Sequence, residues 1–275
     1  KNLYIDFEDK IVWQNNPIAR IKKGENYLAP EIEIIADDAL PLDERKELEQ
    51  FLKNWISLHI NETLKDLINL TKIKIDNQYL RALSYQLYEN NGVLKRKNVA
   101  EITSLISKEE RKKLWSMGIK IGRYHVFLPK MLKPKAVILR TTLWKIYNNV
   151  LFNMSIPKFG LNFVINKNFN EKFLLLCGFE KFKEYFVRID ILEKLFVTII
   201  EKTEGKTFKI LPEMMNLLGC TKEDFYQLMD LMNYKKSKNS DAYYFSGDNK
   251  KNKVKVITNK NKASPFSKLL ALNIK

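Results

Sequence analysis

The chain has 275 residues, enough for two domains or for one large domain with extensions. Its 45% hydrophobic and 29% charged residues exclude global disorder. No run approaches the roughly 18 consecutive apolar residues that a membrane span needs. The 48 basic and 32 acidic residues give a net charge of +16, which favours polyanionic partners.

In chain order, residues 2–36 read as strands. Leu3–Phe7, Lys10–Gln14, Ile18–Lys22 and Glu31–Ile35 alternate or are β-branched, between turns at Glu8-Asp9, Asn15-Asn16-Pro17 and Gly24. Pro41 then opens a long helix with Asp43, Glu44 and Glu47 in its first turns, where they favour the helix dipole. Leu48, Phe51, Leu52, Trp55, Ile56, His59, Ile60, Leu64, Leu67 and Ile68 give it one apolar stripe, ending near Leu70.

The pattern predicts helices at Gln78–Asn90 and Asn98–Ile106, then a third at Lys108–Met117. The third has Ser107 as N-cap, Glu110 completing a capping box, and Gly118 as stop. Ile119–Leu128 follows as two short strands around Gly122-Arg123. Three helices and a hairpin are the order of a winged helix. The C-terminal third repeats it with helices at Asp190–Glu204, Pro212–Leu218 and Thr221–Asn233, the last with Thr221 and Asp224 as a capping box. Tyr243–Phe245 and Val254–Thr258 supply its expected wing, around a loop at Ser246–Lys253.

The fold class predicted is α+β, mainly helical: a small N-terminal β module, a long helix and two winged-helix-like modules. The expected boundaries are 1–37 for the β module and 38–150 for a helical region holding the first winged-helix-like module at about 78–130. An αβ connecting segment follows at 151–187, with a helix from Pro134 leading into it. The second module spans 188–258, and a basic tail with a short amphipathic helix occupies 259–275.

Motifs for catalysis are weak. Gly205-Lys206-Thr207 resembles the end of a phosphate-binding loop, but Ile200 stands where that loop needs glycine. His59 belongs to an apolar stripe, and two isolated histidines without carboxylates at ligand spacing predict no metal site. Asp6, Glu8 and Asp9 share one short turn and make no two-metal centre. Cys177 and Cys220 cannot build a disulfide framework and sit beside glycine at helix boundaries, as packing residues do. No cofactor and no enzymatic activity are expected of this chain by itself. Two cysteines, and acidic Asp6, Glu8 and Asp9 where a signal peptide needs an apolar core, favour a cytoplasmic setting. The Lys1 start suggests a piece of something longer.

The stronger signal is the distribution of charge. Residues 95–145 hold 14 basic and 3 acidic side chains, and residues 235–275 hold 11 and 2, which leaves a net −4 on the rest. The candidate nucleic-acid-binding residues are Lys108, Arg111, Lys112 and Lys113 on the third helix, then Lys120, Arg123, Tyr124, His125, Lys133 and Arg140. Tyr124, Phe127 and Trp144 are interleaved as stacking candidates. In the second module Glu223, Asp224 and Asp230 on the third helix repel phosphate, leaving only the wing lysines Lys250, Lys251, Lys253 and Lys255 basic. The tail, with Phe266, Leu269 and Leu270 on one apolar face, is a candidate surface for the body or a partner.

Several phrases together carry a resemblance. They include Val12-Trp13-Gln14 through Arg20-Ile21, Leu80-Arg81-Ala82-Leu83-Ser84-Tyr85-Gln86-Leu87, and Gly118-Ile119-Lys120-Ile121-Gly122-Arg123-Tyr124-His125-Val126-Phe127-Leu128-Pro129. Leu132-Lys133-Pro134, Leu139-Arg140, Val187-Arg188-Ile189-Asp190 and Pro212-Glu213-Met214-Met215 through Thr221 extend it, and Ser264-Pro265-Phe266 closes it. The chain resembles the C-terminal region of bacterial DExH-type superfamily 2 helicases related to the mitochondrial degradosome RNA helicase. That resemblance implies an accessory region guiding RNA or DNA, single-stranded or at a junction, to motor domains of the same polypeptide. ATP and Mg²⁺ would then belong to those motor domains. Two alternatives stay open: an adaptor tethering the helicase to a nuclease or ribosome, and a free-standing DNA-binding regulator with tandem winged helices. No membrane partner is expected.

Overall fold

The computed structural model describes residues 3–6, 8–35, 41–72, 77–150, 155–165, 170–238 and 240–247. The chain opens with an antiparallel meander, β1 (Leu3–Ile5), β2 (Lys10–Trp13), β3 (Asn16–Asn26) and β4 (Ala29–Ile34), paired in sequence order. Gln14 and Asn15, both at positive φ, make the tight turn that returns β3 onto β2. Alternation along the strands sends Ile11, Ala19, Ile21, Ile32 and Ile34 inward. The acidic turn is locally satisfied: Asp6 Oδ1 accepts the backbone N–H groups of Glu8 and Lys10 at 2.9 and 2.8 Å, and Glu8 pairs with Lys10.

The long helix is two. α1 (Leu42–Thr63) ends at the fully buried Leu64, and α2 (Lys65–Lys72) follows at once. Leu52, Ile56, Ile60, Leu64, Leu67 and Leu70 all enter one core against the sheet, so the apolar stripe survives the break that ends the first helix.

Beyond α2 the described chain runs three times through a helix, a strand, one or two helices and a hairpin. The first unit is α3 (Gln78–Glu89), β5 (Val93–Lys95), a 3₁₀ turn at Arg96–Val99, α4 (Ala100–Leu105), α5 (Lys108–Ser116), β6 (Lys120–Ile121) and β7 (His125–Phe127). Its sheet runs β5-β7-β6. The second is α6 (Pro134–Tyr147), β8 (Phe163–Ile165), α7 (Glu171–Leu176), β9 (Phe179–Phe182) and β10 (Tyr185–Arg188), with sheet order β8-β10-β9. The third is α8 (Ile189–Glu201), β11 (Thr207–Lys209), α9 (Pro212–Leu218), α10 (Lys222–Leu231), β12 (Tyr234–Lys236) and β13 (Ala242–Phe245), with sheet order β11-β13-β12. Each time the last strand lies between the other two, forming a hairpin with one and joining the early strand on its other edge.

A backbone signature accompanies the repetition. The residue that leads from the last helix into the hairpin has positive φ in every unit: Gly118 at 83°, Gly178 at 89° and Asn233 at 65°. A left-handed residue there stops the helix and swings the chain back across it, and glycine or asparagine adopts that conformation at least cost.

Three expectations are corrected. The segment at 151–187 is more than a connector, because Phe163–Ile165 and Phe179–Arg188 close a complete three-stranded sheet. Tyr243–Phe245 pairs with Tyr234–Lys236 upstream, as β-strand partners of short loop length do. Val254–Thr258, proposed as its partner, lies outside the described residues. The Thr221 hydroxyl caps α10 by accepting from Asp224 N–H at 3.1 Å, but the short Asp224 carboxylate takes the Thr221 hydroxyl and not its backbone N–H. The capping box of Ser107 and Glu110, and the first-turn prolines Pro134 and Pro212, start helices where the sequence places them.

Candidate nucleic-acid interface

The helix that precedes the first unit's hairpin is α5. Its start is fixed by a full capping box: Ser107 Oγ accepts from Glu110 N–H at 3.2 Å, and the Glu110 carboxylate accepts from Ser107 N–H at 2.7 Å. Asn77 also donates to Glu110, tying α5 to the N-cap of α3. Leu114 is buried, so the opposite face is solvated. Lys108, Lys112 and Trp115 recur there at helical spacing and make one exposed stripe, with Lys113 beside it. Trp115 is 75% exposed, an unusual position for so large an apolar side chain.

Of the predicted residues, Lys108, Lys112, Lys113, Lys120, Arg123 and Lys133 are exposed and form no ion pair among the described residues. Arg123 lies over the rings of Phe196 and Phe245, at 5.6 and 5.9 Å, so its position is set by the third unit. Arg111 points inward: its guanidinium donates to the backbone carbonyls of Thr103 and Ile106 and pins α5 to α4.

Arg140 and His125 are corrected outright. Arg140 is fully buried, and its guanidinium donates to the carbonyls of Asn91, Met131 and Leu176, the last at 2.9 Å. Burial lowers its pKa to about 10, so it stays charged at neutral pH as an internal bolt between the first two units. His125 is 1% exposed. Its Nε2 lies 2.8 Å from Glu180, and neither ring nitrogen faces solvent for a phosphate to reach. Tyr124 is half-buried, edge-on to Phe196, with burial pushing its phenol up. Phe127 is buried and offers no face to a base, and Trp144 is partly buried with its ring tilted against Phe173 at 6.2 Å.

The interior holds a polar knot that the sequence does not show. Lys95 from β5 reaches Glu171 at 2.8 Å and Glu180 at 2.7 Å, on α7 and β9. Glu180 bridges on to His125, and Glu193 from α8 accepts the backbone N–H groups of Arg123, Tyr124 and His125 at 2.6, 2.8 and 3.1 Å. Burial would raise both carboxyls, but the hydrogen bonds and charges of His125, Lys95 and the backbone outweigh it, so both stand below the ordinary range. Burial likewise lowers His125, and its two carboxylates outweigh that, so the imidazole is raised. The hairpin's N–H groups form a natural anion niche, and an internal carboxylate already fills it. Those three N–H groups are thus taken by Glu193.

Residues 95–145 carry 14 cations, and six of them pair with other groups of the protein: Lys95, Arg96, Arg111, Lys130, Arg140 and Lys145. Eight stay exposed without an ion-pair partner among the described residues: Lys97, Lys108, Lys112, Lys113, Lys120, Arg123, Lys133 and Lys135. Trp115 is not among the predicted residues, although its spacing from Lys108 and Lys112 is visible in the sequence. In the third unit the equivalent helix α10 exposes Glu223 and Asp230, with Asp224 partly buried beside them, and these do not favour a polyanion.

Gly205-Lys206-Thr207 forms a tight turn, with Glu204 and Thr207 exchanging backbone hydrogen bonds, ahead of a strand. Burial pushes the Cys177 and Cys220 thiols up to about 12 and about 11, as for packing residues. Among the described residues no cluster of His, Cys, Asp or Glu is placed to hold a metal ion, and no helix is long and apolar enough to cross a membrane. Phe266, Leu269 and Leu270 lie outside the described residues, as do Lys250, Lys251, Lys253 and Lys255. No protein-family model, curated protein or solved structure matches the chain.

Proposed function

We propose that this chain is a nucleic-acid-binding accessory region of an ATP-dependent RNA helicase, of the DExH kind its sequence phrases resemble. It guides a strand to motor domains outside these residues. In this reading the first and third units are winged-helix-like modules, a reading supported by their helix, strand, helix, helix, hairpin order. The observation that carries the function is α5: a solvated helix before a hairpin, bearing Lys108, Lys112, Lys113 and an exposed Trp115. Lys97, Lys120 and Arg123 on the same unit extend the positive face.

Six such cations on a single strand give a log–log salt slope of roughly −4, at about −0.7 per phosphate contact. Replacing Lys108, Lys112 and Lys120 with glutamine should weaken binding and flatten the slope by roughly 2. The same change at Lys206, Lys209 and Lys235 of the third unit should do neither. Equal losses from both triplets would show diffuse attraction and remove the localised interface.

A second reading, an adaptor, is favoured by one observation. An apolar groove of about 680 Å³ lies between the N-terminal sheet and α1, lined by Leu3, Trp13, Ile18, Leu48, Phe51 and Trp55. Asp43 and Glu44 stand in the first turn of α1, so a partner helix with an apolar face and basic flanks suits the groove. Phe51→Glu should abolish such an association and leave RNA binding intact.

A further inference from the structure

A second cleft, of about 470 Å³, opens beside α5 where α2 and the segment after β7 meet it. Trp115 and Ser116 of α5, Asp66 and Asn69 of α2, and Lys130 from the segment after β7 line it. Its volume falls in the range of small-molecule sites, and it joins the lysine stripe of α5 at Trp115.

Three features of the lining bear on what it takes. The indole is 75% exposed, so a planar ligand reaches its face without displacing protein. The Asn69 carboxamide makes no hydrogen bond to another described residue, leaving a donor and an acceptor side by side. Asp66 would repel an anion, but Lys130 stands 3.0 Å from its Oδ2 and 3.2 Å from its Oδ1 and neutralises it. Lys130 itself remains 74% exposed, so it presents charge to the solvent as well.

We propose that this cleft is a nucleobase site. One base of a single strand stacks on Trp115 and turns its hydrogen-bonding edge to Asn69. The flanking phosphates reach Lys112, three residues before Trp115 on α5, and Lys130 in the cleft lining. A duplex cannot use the site, because its bases are already stacked and their edges paired. The cleft thus gives the positive face of the first unit a preference for single strands, which charge alone does not supply. This inference rests on the nucleic-acid reading of that face.

The test uses the full chain, a short labelled oligoadenylate and a duplex of equal length, with binding followed by anisotropy and by tryptophan emission. Trp115→Ala should weaken the single strand roughly 5- to 150-fold, the value of one stacked base, with the salt slope unchanged. Trp115→Phe should stay within about 3-fold of the parent, since an aromatic face remains. Duplex affinity should not move in either variant, and the emission quench seen with the single strand should vanish in both. Equal weakening of single strand and duplex, or no weakening of the single strand, overturns the base site. If the lysine triplet of α5 and β6 still controls binding in that case, the interface stands and the cleft alone falls. If the parent chain binds neither nucleic acid, both readings fall together. A solvated side chain makes the Trp115 variants safe for folding, and unchanged thermal unfolding confirms it.

Discussion

Gly122→Ala tests the polar knot through a single methyl group. A Cβ at Gly122 would stand 2.2 Å from Cδ of Glu193 and 2.4 and 2.5 Å from its two carboxylate oxygens. Gly122 does not sit at positive φ, so backbone strain adds nothing and the obstacle is the carboxylate alone. The methyl must push Glu193 off the three N–H groups of Arg123, Tyr124 and His125. Hydrogen bonds to a charged acceptor contribute about 1.5–3 kcal/mol each and are not additive, and breaking a buried charged contact costs about 3–5 kcal/mol. We expect a loss of about 3–5 kcal/mol, which in a chain of this size lowers Tm by roughly 6–20 °C. Urea and thermal unfolding of the parent, Gly122→Ala, Glu193→Ala and the double variant measure it. With Glu193 already truncated, the added methyl meets no carboxylate, so the second substitution should cost less than about 1 kcal/mol and the pair should couple by about 2–4 kcal/mol. Additive losses would refute the reasoning, because Gly122 would then be required for something other than the carboxylate it faces.

The same knot sets a pH window. His125, raised in the fold, contributes stability that is full below the unfolded histidine value of about 6.5 and is lost as pH rises through its folded pKa. Glu180 and Glu193, lowered in the fold, contribute above the unfolded glutamate value of about 4.3, and that is lost as pH falls through their folded pKa. Stability should therefore peak between about pH 4.5 and 6.5, and His125→Gln should remove the decline on the alkaline side, as followed by urea midpoints across pH. For Arg140, substitution by methionine fills the volume but leaves the carbonyls of Asn91, Met131 and Leu176 without their donor. A loss of about 3–5 kcal/mol is expected, with oligonucleotide affinity unchanged below the unfolding transition; a fall in affinity without a fall in Tm would put Arg140 back at the interface.

What the sequence by itself determined is short-range. Ser107 with Glu110 starts a helix because both side chains satisfy N–H groups three residues away, and Pro134 and Pro212 start helices because their fixed φ suits the first turn. The alternation of Ile11, Ala19, Ile21, Ile32 and Ile34 gave a half-buried sheet, and helical spacing gave the buried stripe from Leu52 to Leu70. Gly118 marked a helix stop for the same local reason.

Only the tertiary structure decided which charges are available. Arg140 and Arg123 read alike as basic residues in one block, yet one is sealed against three carbonyls and the other is exposed over two aromatic rings. Glu193 and the hairpin it fills are about seventy positions apart, and no local pattern links them. The pairing of β13 with β11 across α9 and α10, and of β10 with β8 across α7, likewise depends on strands finding edges across intervening helices. Periodicity and caps are settled within a few residues along the chain. Burial of a charge and choice of a strand partner are settled by what the folded chain brings alongside, and a sequence states that only indirectly.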